Sequence, residues 1–277
     1  MAGTLWLVGT PIGNLGDVTE RARRTLAEVD LIACEDTRRA RKLLAHLDIR
    51  GARLVTFFEG NERRRVPELI EHLRAGRDVA VVSDAGMPGL SDPGERLVRA
   101  AVAEGIEVDV VPGPSAAVAA LVVSGLPAAR FSFEGFLPRK PGERRARLTQ
   151  AAADSRTVVL FEAPRRLGAL LAEAVEVLGH RRAAVVRELT KLHQEVVRGP
   201  LPELAARYQD EDVRGEVVVV IEGRPSHVGR DELAALAERV EALTSEGVPR
   251  REAAARVAEE SGASRRALYE ASLRRRP

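Results

Sequence analysis

Cysteine is almost absent from this 277-residue sequence: Cys34 is the only one. One thiol cannot form an intrachain disulfide or a cysteine-based zinc site, and the count fits a reducing compartment. Aromatic residues are scarce at 3%, so a core has to be built from Val, Leu, Ile and Ala. The stacking platforms of single-strand RNA readers are correspondingly sparse. No apolar run is long enough to cross a bilayer, and the opening residues Met1-Ala2-Gly3-Thr4 lack the basic segment and apolar core of a signal peptide. An excess of one charge is missing too. The 43 Lys and Arg against 41 Asp and Glu leave a formal net charge of +2, too little for a global cationic field. His46, His72, His180, His193 and His227 show no metal-ligand spacing, and no Gly-x-Ser-x-Gly nucleophile elbow is present. A soluble, cytoplasmic protein is expected, without a metal site and without a membrane partner.

What is present is an ordinary globular composition, 45% hydrophobic and 30% charged, on a chain long enough for two domains. Strand-like and helix-like periods alternate along its first part. Strands are expected at Thr4–Gly9, Leu31–Cys34, Leu54–Phe57, Asp78–Ser83 and Glu107–Val111, with helices at Val18–Val29, Arg38–Leu47, Arg65–Ala75 and Glu95–Glu104. That alternation predicts a parallel, doubly wound α/β sheet. Pro112-Gly113-Pro114 breaks the pattern, a small-residue helix follows at Ser115–Val123, and Gly125-Leu126-Pro127 breaks it again.

Beyond the break, strands near Phe131–Phe136, Thr157–Phe161, Ala183–Arg187, Glu195–Arg198 and Glu216–Ile221 mix with helices at Gly142–Ala153, Arg165–Leu178 and Leu201–Tyr208. Too little chain separates Ala183–Arg187 from Glu195–Arg198 for a helix, so these two pair antiparallel and the second sheet is mixed. After Gly223-Arg224-Pro225 come three helical patterns, Arg230–Leu243, Arg251–Glu259 and Ser264–Leu273. The short turn Glu260-Ser261-Gly262-Ala263 joins the last two as in a helix-turn-helix. The expected architecture is α/β with two domains, residues 1–113 and 114–225, and a helical tail over 226–277.

Glycine- and proline-rich stretches sit where strands end. Gly9-Thr10-Pro11-Ile12-Gly13-Asn14-Leu15-Gly16 lies between a strand and a helix, where glycines let backbone approach a ligand and a helix start offers free N–H groups. No Gly-Lys-Ser/Thr ends it and its spacing is not the dinucleotide fingerprint, so it reads equally as an ordinary turn. Val81 through Gly94 carries a β-branched strand into a long loop. Ligands of open α/β sheets bind beyond the carboxyl ends of strands, where Asp84 can accept hydrogen bonds from a ribose or an ammonium group. Asp92 and Pro93 read more simply as a helix N-cap and first helical residue, which leaves the length of the loop before them unexplained. In Pro112-Gly113-Pro114-Ser115-Ala116-Ala117, Ser115 is a candidate cap and Ala116 leaves room beside a cleft. Arg187-Glu188-Leu189-Thr190-Lys191 ends a second-domain strand, either as solvated charge or as polar chemistry facing a concave site. Basic clusters at Arg38–Lys42, Arg63–Arg65 and Arg139–Arg145 are solvated faces by default. Three of them in a nearly neutral chain also fit a phosphate-binding surface.

Taken together, Leu7 through Leu15, Glu35-Asp36-Thr37-Arg38, Val82 through Gly94, Pro112-Gly113-Pro114, Phe133 through Pro138 and Arg187 through Lys191 resemble the tetrapyrrole methylase superfamily. They follow its order over most of the chain to about Gly223. The similarity is greatest to the branch that 2′-O-methylates a cytidine ribose of small-subunit (16S) ribosomal RNA, whose C-terminal helix-turn-helix segment the tail also resembles. The resemblance implies two α/β domains with S-adenosylmethionine in the cleft between them, usually as a homodimer. It implies ribosomal RNA or the assembled small ribosomal subunit as partner. Carried over by motif, it places Pro11 in the first loop, Ser83 and Asp84 in the second, and Ser115 and Ala116 after the third turn. Phe161 ends a second-domain strand, and Leu189 and Gly215 close the cofactor pocket. Phe58-Glu59-Gly60-Asn61-Glu62 departs from the pattern, which has a His or another polar residue near position 59 or 60.

A sulfonium is already a good leaving group, so the chemistry this implies rests on alignment of hydroxyl, methyl and sulfur. A ribose hydroxyl is a weak acid, and a base or a cation facing the developing alkoxide helps. Glu188 is the expected proton acceptor and Lys191 the expected electrostatic stabiliser, with Asp36 and Arg38 in reserve. An ion pair at a strand end is their alternative reading. Arg38, Arg139, Lys140, Arg144 and Arg145 are the expected RNA contacts. One competing reading is a methyltransferase of the same fold acting on a corrin precursor or a modified protein histidine. The other is a non-enzymatic DNA-binding regulator using the tail. The basic loop favours RNA over the former, and the alternating tail charges Arg251, Glu252, Arg256, Glu259, Glu260, Arg265 and Arg266 argue against the latter.

Overall fold

The computed structural model describes residues 2–224, 230–261 and 263–274. Strands β1 (Leu5–Val8), β2 (Leu31–Cys34), β3 (Leu54–Thr56), β4 (Val79–Val82) and β5 (Val108–Val111) form a 5-stranded sheet in the order β3-β2-β4-β1-β5. Every pairing in it is parallel. Helices α1 (Glu20–Glu28), α2 (Thr37–His46), α3 (Glu62–Arg74) and α4 (Glu95–Ala103) lie between the strands. Side chains alternate along each strand, which divides the sheet between two cores. Leu31, Ala33, Val79 and Val81 pack with Leu69, Leu73, Leu97 and Ala101 of α3 and α4, while Ile32, Cys34, Ala80 and Val82 pack with Leu26 and Leu44 of α1 and α2. The sheet is therefore doubly wound, and its central strands are continuous apolar runs because neither face meets water.

Helix α5 (Ala116–Ser124) leads to a second 5-stranded sheet of β6 (Phe131–Phe136), β7 (Thr157–Glu162), β8 (Arg182–Arg187), β9 (Glu195–Pro200) and β10 (Val217–Ile221), in the order β6-β7-β10-β8-β9. Strands β6 and β7 pair parallel; the other pairings are antiparallel, including β8 with β9. Helices α6 (Pro141–Ala152), α7 (Leu167–Leu178) and α8 (Leu201–Tyr208) bury one face through Leu148, Leu167, Leu171 and Leu204. On the other face, Val159, Ala184, Val186, Val218 and Val220 are covered by Ala117, Ala120 and Leu121 of α5, and Ile12 from the first loop joins the same cluster. Burying one such aliphatic side chain is worth roughly 1.5–3 kcal/mol, so this shared cluster fastens the two sheets along one seam.

The tail helices α9 (Arg230–Ser245), α10 (Arg250–Ser261) and α11 (Arg265–Arg274) keep a small core of their own around Leu236, Val240, Ala253, Val257 and Leu268. Pro225 of the expected break, His227 and Gly262 of the expected turn lie outside the described residues. Because α10 runs on to Ser261, the first two residues of that expected turn, Glu260 and Ser261, are helical. Among the described residues no helix is long and apolar enough to cross a membrane.

The start of α3 and the cap of α4 differ from the sequence reading for instructive reasons. Helix α3 begins at Glu62, ahead of the expected Arg65, and carries Pro67 inside it. Asn61 builds that start: its side chain accepts the Phe58 amide at 2.8 Å and donates to the Thr56 carbonyl at 3.0 Å. Helix α4 begins after Gly94, so Asp92 caps no helix; the Glu62 carboxylate accepts the Gly94 amide at 2.9 Å instead.

Candidate active site

Four adjacent strands, β2, β4, β1 and β5, bring their carboxyl ends to one edge of the first sheet, where open α/β sheets bind ligands. The loops leaving them are locked together through backbone. Thr10 and Gly86 exchange backbone hydrogen bonds of 2.9 and 3.1 Å, and the Thr10 hydroxyl donates to the Ser83 carbonyl at 3.2 Å. Gly9 and Gly113 approach so closely that a Cβ on Gly113 would stand 2.8 Å from the Gly9 backbone. Glycine alone permits that contact.

Between these loops and the second sheet lies a cavity of about 360 Å³, within the size range of small-molecule sites. The loops of the first sheet contribute Ile12, Met87, Leu90 and Asp92 to its wall, and the second sheet and its flanks contribute Phe136, Phe161, Glu162 and residues 215–218. Phe133 and Phe136 meet Phe161 edge-on with ring centroids 4.9 and 5.6 Å apart, contacts worth about 0.5–1.5 kcal/mol each beyond burial. They fix the aromatic wall.

Of the expected cofactor residues, Ser115, Ala116, Phe161 and Gly215 line this cavity. Pro11 adjoins the lining residue Ile12, and Leu189 is buried in the seam beside it. Ser115 occupies the N-cap position of α5 yet makes no side-chain capping bond. Ser83 is buried with its Oγ 3.3 Å from the carbonyls of Ala85 and Gly86, which shapes the loop. Asp84 is turned toward β2 and α2. Its amide donates to Glu35 at 3.1 Å, its Oδ1 accepts the Asp36 amide at 3.1 Å, and its Oδ2 stands 3.4 Å from Arg39. Asp36 caps α2 by accepting the Arg38 amide at 2.7 Å and pairs with the Arg38 guanidinium at 2.9 Å. Those bonds hold its carboxyl down at about 2.

Glu188 and Lys191 come together at the end of β8, where Glu188 and Thr190 take φ of +50° and +66°, values that non-glycine residues rarely adopt. Lys191 Nζ is 2.7 Å from Glu188 Oε1 and 3.2 Å from Glu216 Oε2. The Glu216 amide also donates to Glu188 Oε1 at 2.9 Å. The Lys191 bond, helped by that amide, lowers the Glu188 carboxyl below its usual range. Burial works against the charge on Lys191, but its carboxylate partners outweigh it and raise its pKa. The pair adjoins the cavity through Gly215 and Glu216, which line it.

Besides Glu216, two cavity carboxyls lie outside the expected set. Asp92 is half-buried; burial first and then Glu35 lift its pKa to about 7, against a hydrogen bond from Ser83. Glu162 ends β7 with a wholly buried side chain. Its Oε1 takes the Ala163 amide at 2.7 Å and stands 3.2 Å from Arg166, whereas its Oε2 has no partner among the described residues. Burial raises its pKa. A carboxylate directly after the apolar run Val158–Phe161 is a signal that points to Glu162. The signal for Asp92 is masked, because Ser91-Asp92-Pro93 fits helix-cap chemistry equally well.

The expected RNA contacts are mixed. Arg144 is drawn to Glu173 and mostly buried, Lys140 pairs with Glu143 at 3.1 Å, and Arg145 with Glu176 at 2.6 Å. Arg139 is exposed.

Two α/β sheets clasping a cavity at glycine-rich strand ends define the class: the profile of the Tetrapyrrole (Corrin/Porphyrin) Methylases matches residues 4–205, and the chain belongs to that family. Solved structures agree on the fold. A uroporphyrin-III C-methyltransferase from Thermus thermophilus, complexed with S-adenosyl homocysteine, superimposes with a TM-score of 0.55 at 21% identity, covering 79% of this chain and 97% of that one. A conserved hypothetical protein from Aeropyrum pernix K1 does so with a TM-score of 0.65 at 20% identity, covering 99% and 96%. The relatives matched along the sequence are named ribosomal RNA small subunit methyltransferase I. That of Mycobacterium tuberculosis (strain CDC 1551 / Oshkosh) is 48% identical across 99% of this chain and 96% of its own. That of Thermotoga maritima is 48% identical across 80% of this chain and 99% of its own. This agreement makes the chain a methyltransferase of the family's ribosomal branch, as the motifs implied.

Proposed function

We propose that this chain transfers the methyl group of S-adenosylmethionine to the 2′-hydroxyl of a cytidine ribose in small-subunit ribosomal RNA. What carries the reading is the 48% identity, along 99% of the chain, to a relative named ribosomal RNA small subunit methyltransferase I. The cavity supports the donor half. Its volume of about 360 Å³ and its walls of Ile12, Met87, Ala116, Phe161 and Val218 suit an adenosine with an amino-acid arm. Ser115, Ala116, Phe161 and Gly215 would contact the donor, with Pro11, Ser83, Asp84 and Leu189 shaping the loops around it.

When bound, the donor supplies a methyl group already activated on a sulfonium. The chain then has to orient the acceptor, exclude water and manage one proton. Lys191, held by Glu188 and Glu216 beside Gly215, offers positive charge to an oxygen turning negative. Glu188, expected from its motif as the proton acceptor, is occupied by Lys191 and the Glu216 amide and keeps that ammonium in place. Arg38, Arg139, Lys140 and Arg145 take RNA phosphates, and Arg144, pinned by Glu173, sets the direction of its loop. The protein works in the cytoplasm as a homodimer on ribosomal RNA or the assembled small subunit. The exposed Val110, Val118 and Val122 give a second copy an apolar surface.

Mapping ribose methylation across ribosomal RNA in a strain lacking the gene tests this. One small-subunit cytidine loses its 2′-O-methyl group and regains it on complementation; an unchanged map removes the reading.

A further inference from the structure

Resting on that reading, we propose that Asp92 is the catalytic residue that takes the proton from the RNA hydroxyl. Asp92 lines the cavity, tied to the protein by the Ser83 hydrogen bond. It caps no helix, since Gly94 holds that position, and no cation pairs with it among the described residues. The loop that presents it is nevertheless fixed on both sides. Gly89 donates to the Pro93 carbonyl at 3.1 Å, and Gly94 donates to Glu62 at 2.9 Å. Ser91 is held at φ +64° with its hydroxyl against Gly135.

A carboxyl kept in a cleft without a counter-ion marks a functional position. The groups facing it are Ser83, Glu35 and Asp84; Arg39 stands against Asp84 and its charge also acts on Glu35. Independent support for a ligand comes from the second-domain wall of the same cavity. There Glu162 Oε2 is buried without a donor among the described residues, an acceptor that a bound N–H or O–H group would satisfy. Glu188 is less suited to the task, because Lys191 and the Glu216 amide already occupy it. Asp92 titrates at about 7, where a general base both exists as the anion and binds the proton firmly enough to take it.

The step balances without a further reactant. The hydroxyl oxygen bonds to the methyl carbon as the methyl–sulfur bond breaks, its electron pair staying on sulfur as a neutral thioether. The hydroxyl proton passes to the Asp92 carboxylate, which then releases it to water.

The test compares wild type with Asp92→Asn and Asp92→Glu. The readouts are kcat against pH on small-subunit RNA, S-adenosylhomocysteine binding by calorimetry, and ligand-free melting temperature against pH. Wild-type kcat falls on the acid side of an inflection near 7. Asp92→Asn loses about 10²–10⁴-fold in kcat, shows no such inflection, and binds S-adenosylhomocysteine within about twofold of wild type. Asp92→Glu recovers part of the rate. The proposal is overturned if Asp92→Asn stays within about fivefold of wild type, keeps the inflection, or loses S-adenosylhomocysteine binding with its activity. Wild type that methylates no RNA overturns this proposal and the function it rests on together. With wild type active, the variants judge Asp92 alone.

Discussion

Glu62, buried at the start of α3, accepts the backbone amide of Gly94 at 2.9 Å, and Arg96 stands 3.4 Å from its other carboxylate oxygen. One acidic side chain thereby caps a helix from another segment and pins the loop carrying Asp92. Glu62→Ala strands that amide in a buried place, and a loss of about 1–3 kcal/mol is expected. It is read as a lower denaturant midpoint with an unchanged m-value. Glu62→Gln, which keeps an acceptor oxygen, recovers most of the loss.

Gly113→Ala is expected to disturb the site through backbone. The added Cβ meets the Gly9 backbone at 2.8 Å, and no flexible side chain is there to yield. Overpacking of this kind destabilises by about 1–3 kcal/mol, and S-adenosylhomocysteine binding weakens at least about tenfold as the first and third loops part. Gly142→Ala is the control. It lies in α6, where an added Cβ would meet nothing within 4 Å outside its own helix, and alanine is the better helix former by about 1 kcal/mol. Paired melts and binding isotherms separate the two.

The stability of the ligand-free protein carries the signature of Asp92. Burial keeps this carboxyl protonated up to about 7, whereas in the unfolded chain it ionises near 3.8. Between those values the folded state holds the extra proton, so Asp92 withdraws stability as pH rises through the window. Asp92→Asn removes that penalty: its melting temperature exceeds that of wild type at pH 8 and not at pH 3. Glu188 has the opposite sign. Its lowered pKa gives stability that is present above about 4.5 and lost as pH falls through the folded value, so Glu188→Gln lowers the melting temperature at pH 7 and hardly at pH 2.

Lys191→Ala separates charge stabilisation from donor binding. With Lys191 Nζ 2.7 Å from Glu188 and 3.2 Å from Glu216, its removal leaves two carboxylates facing the site without their cation. A fall of about 10²-fold in kcat is expected, with S-adenosylhomocysteine affinity unchanged. Full activity in steady-state assays removes Lys191 from the mechanism.

Truncation after Arg224 tests the tail. The Thermotoga maritima relative aligns over 222 residues, 99% of its own length, and α9, α10 and α11 share a core distinct from those of the two sheets. The truncated protein is expected to bind S-adenosylhomocysteine within about twofold of the full chain. A body that no longer folds, seen by circular dichroism, makes the tail structural instead.

Much of the fold is legible in the sequence because local periods carry it. β2 and β4 are wholly buried runs between amphipathic helices, and β8 and β9 are too close in the chain to pair other than antiparallel. The order β3-β2-β4-β1-β5 leaves no local trace, since packing of the helices on both faces decides it. Ser115, Ala116, Phe161 and Gly215 line the cavity at positions that the family resemblance marks, not any local period. Asp92 is not legible, because Glu62, 32 residues from Gly94 in sequence, takes over the capping that the local motif suggests. Phe136 reaches the cavity from a strand whose register shifts between Phe133 and Gly135, and strict alternation does not foresee such an irregularity.

The most direct measurement gives the purified full-length protein S-adenosylmethionine labelled in its methyl group, together with small-subunit ribosomal RNA or intact subunits, and digests the product to nucleosides. The predicted result is label in 2′-O-methylcytidine, absent with Asp92→Asn. Label on a base, on another nucleoside, or on no RNA at all contradicts it.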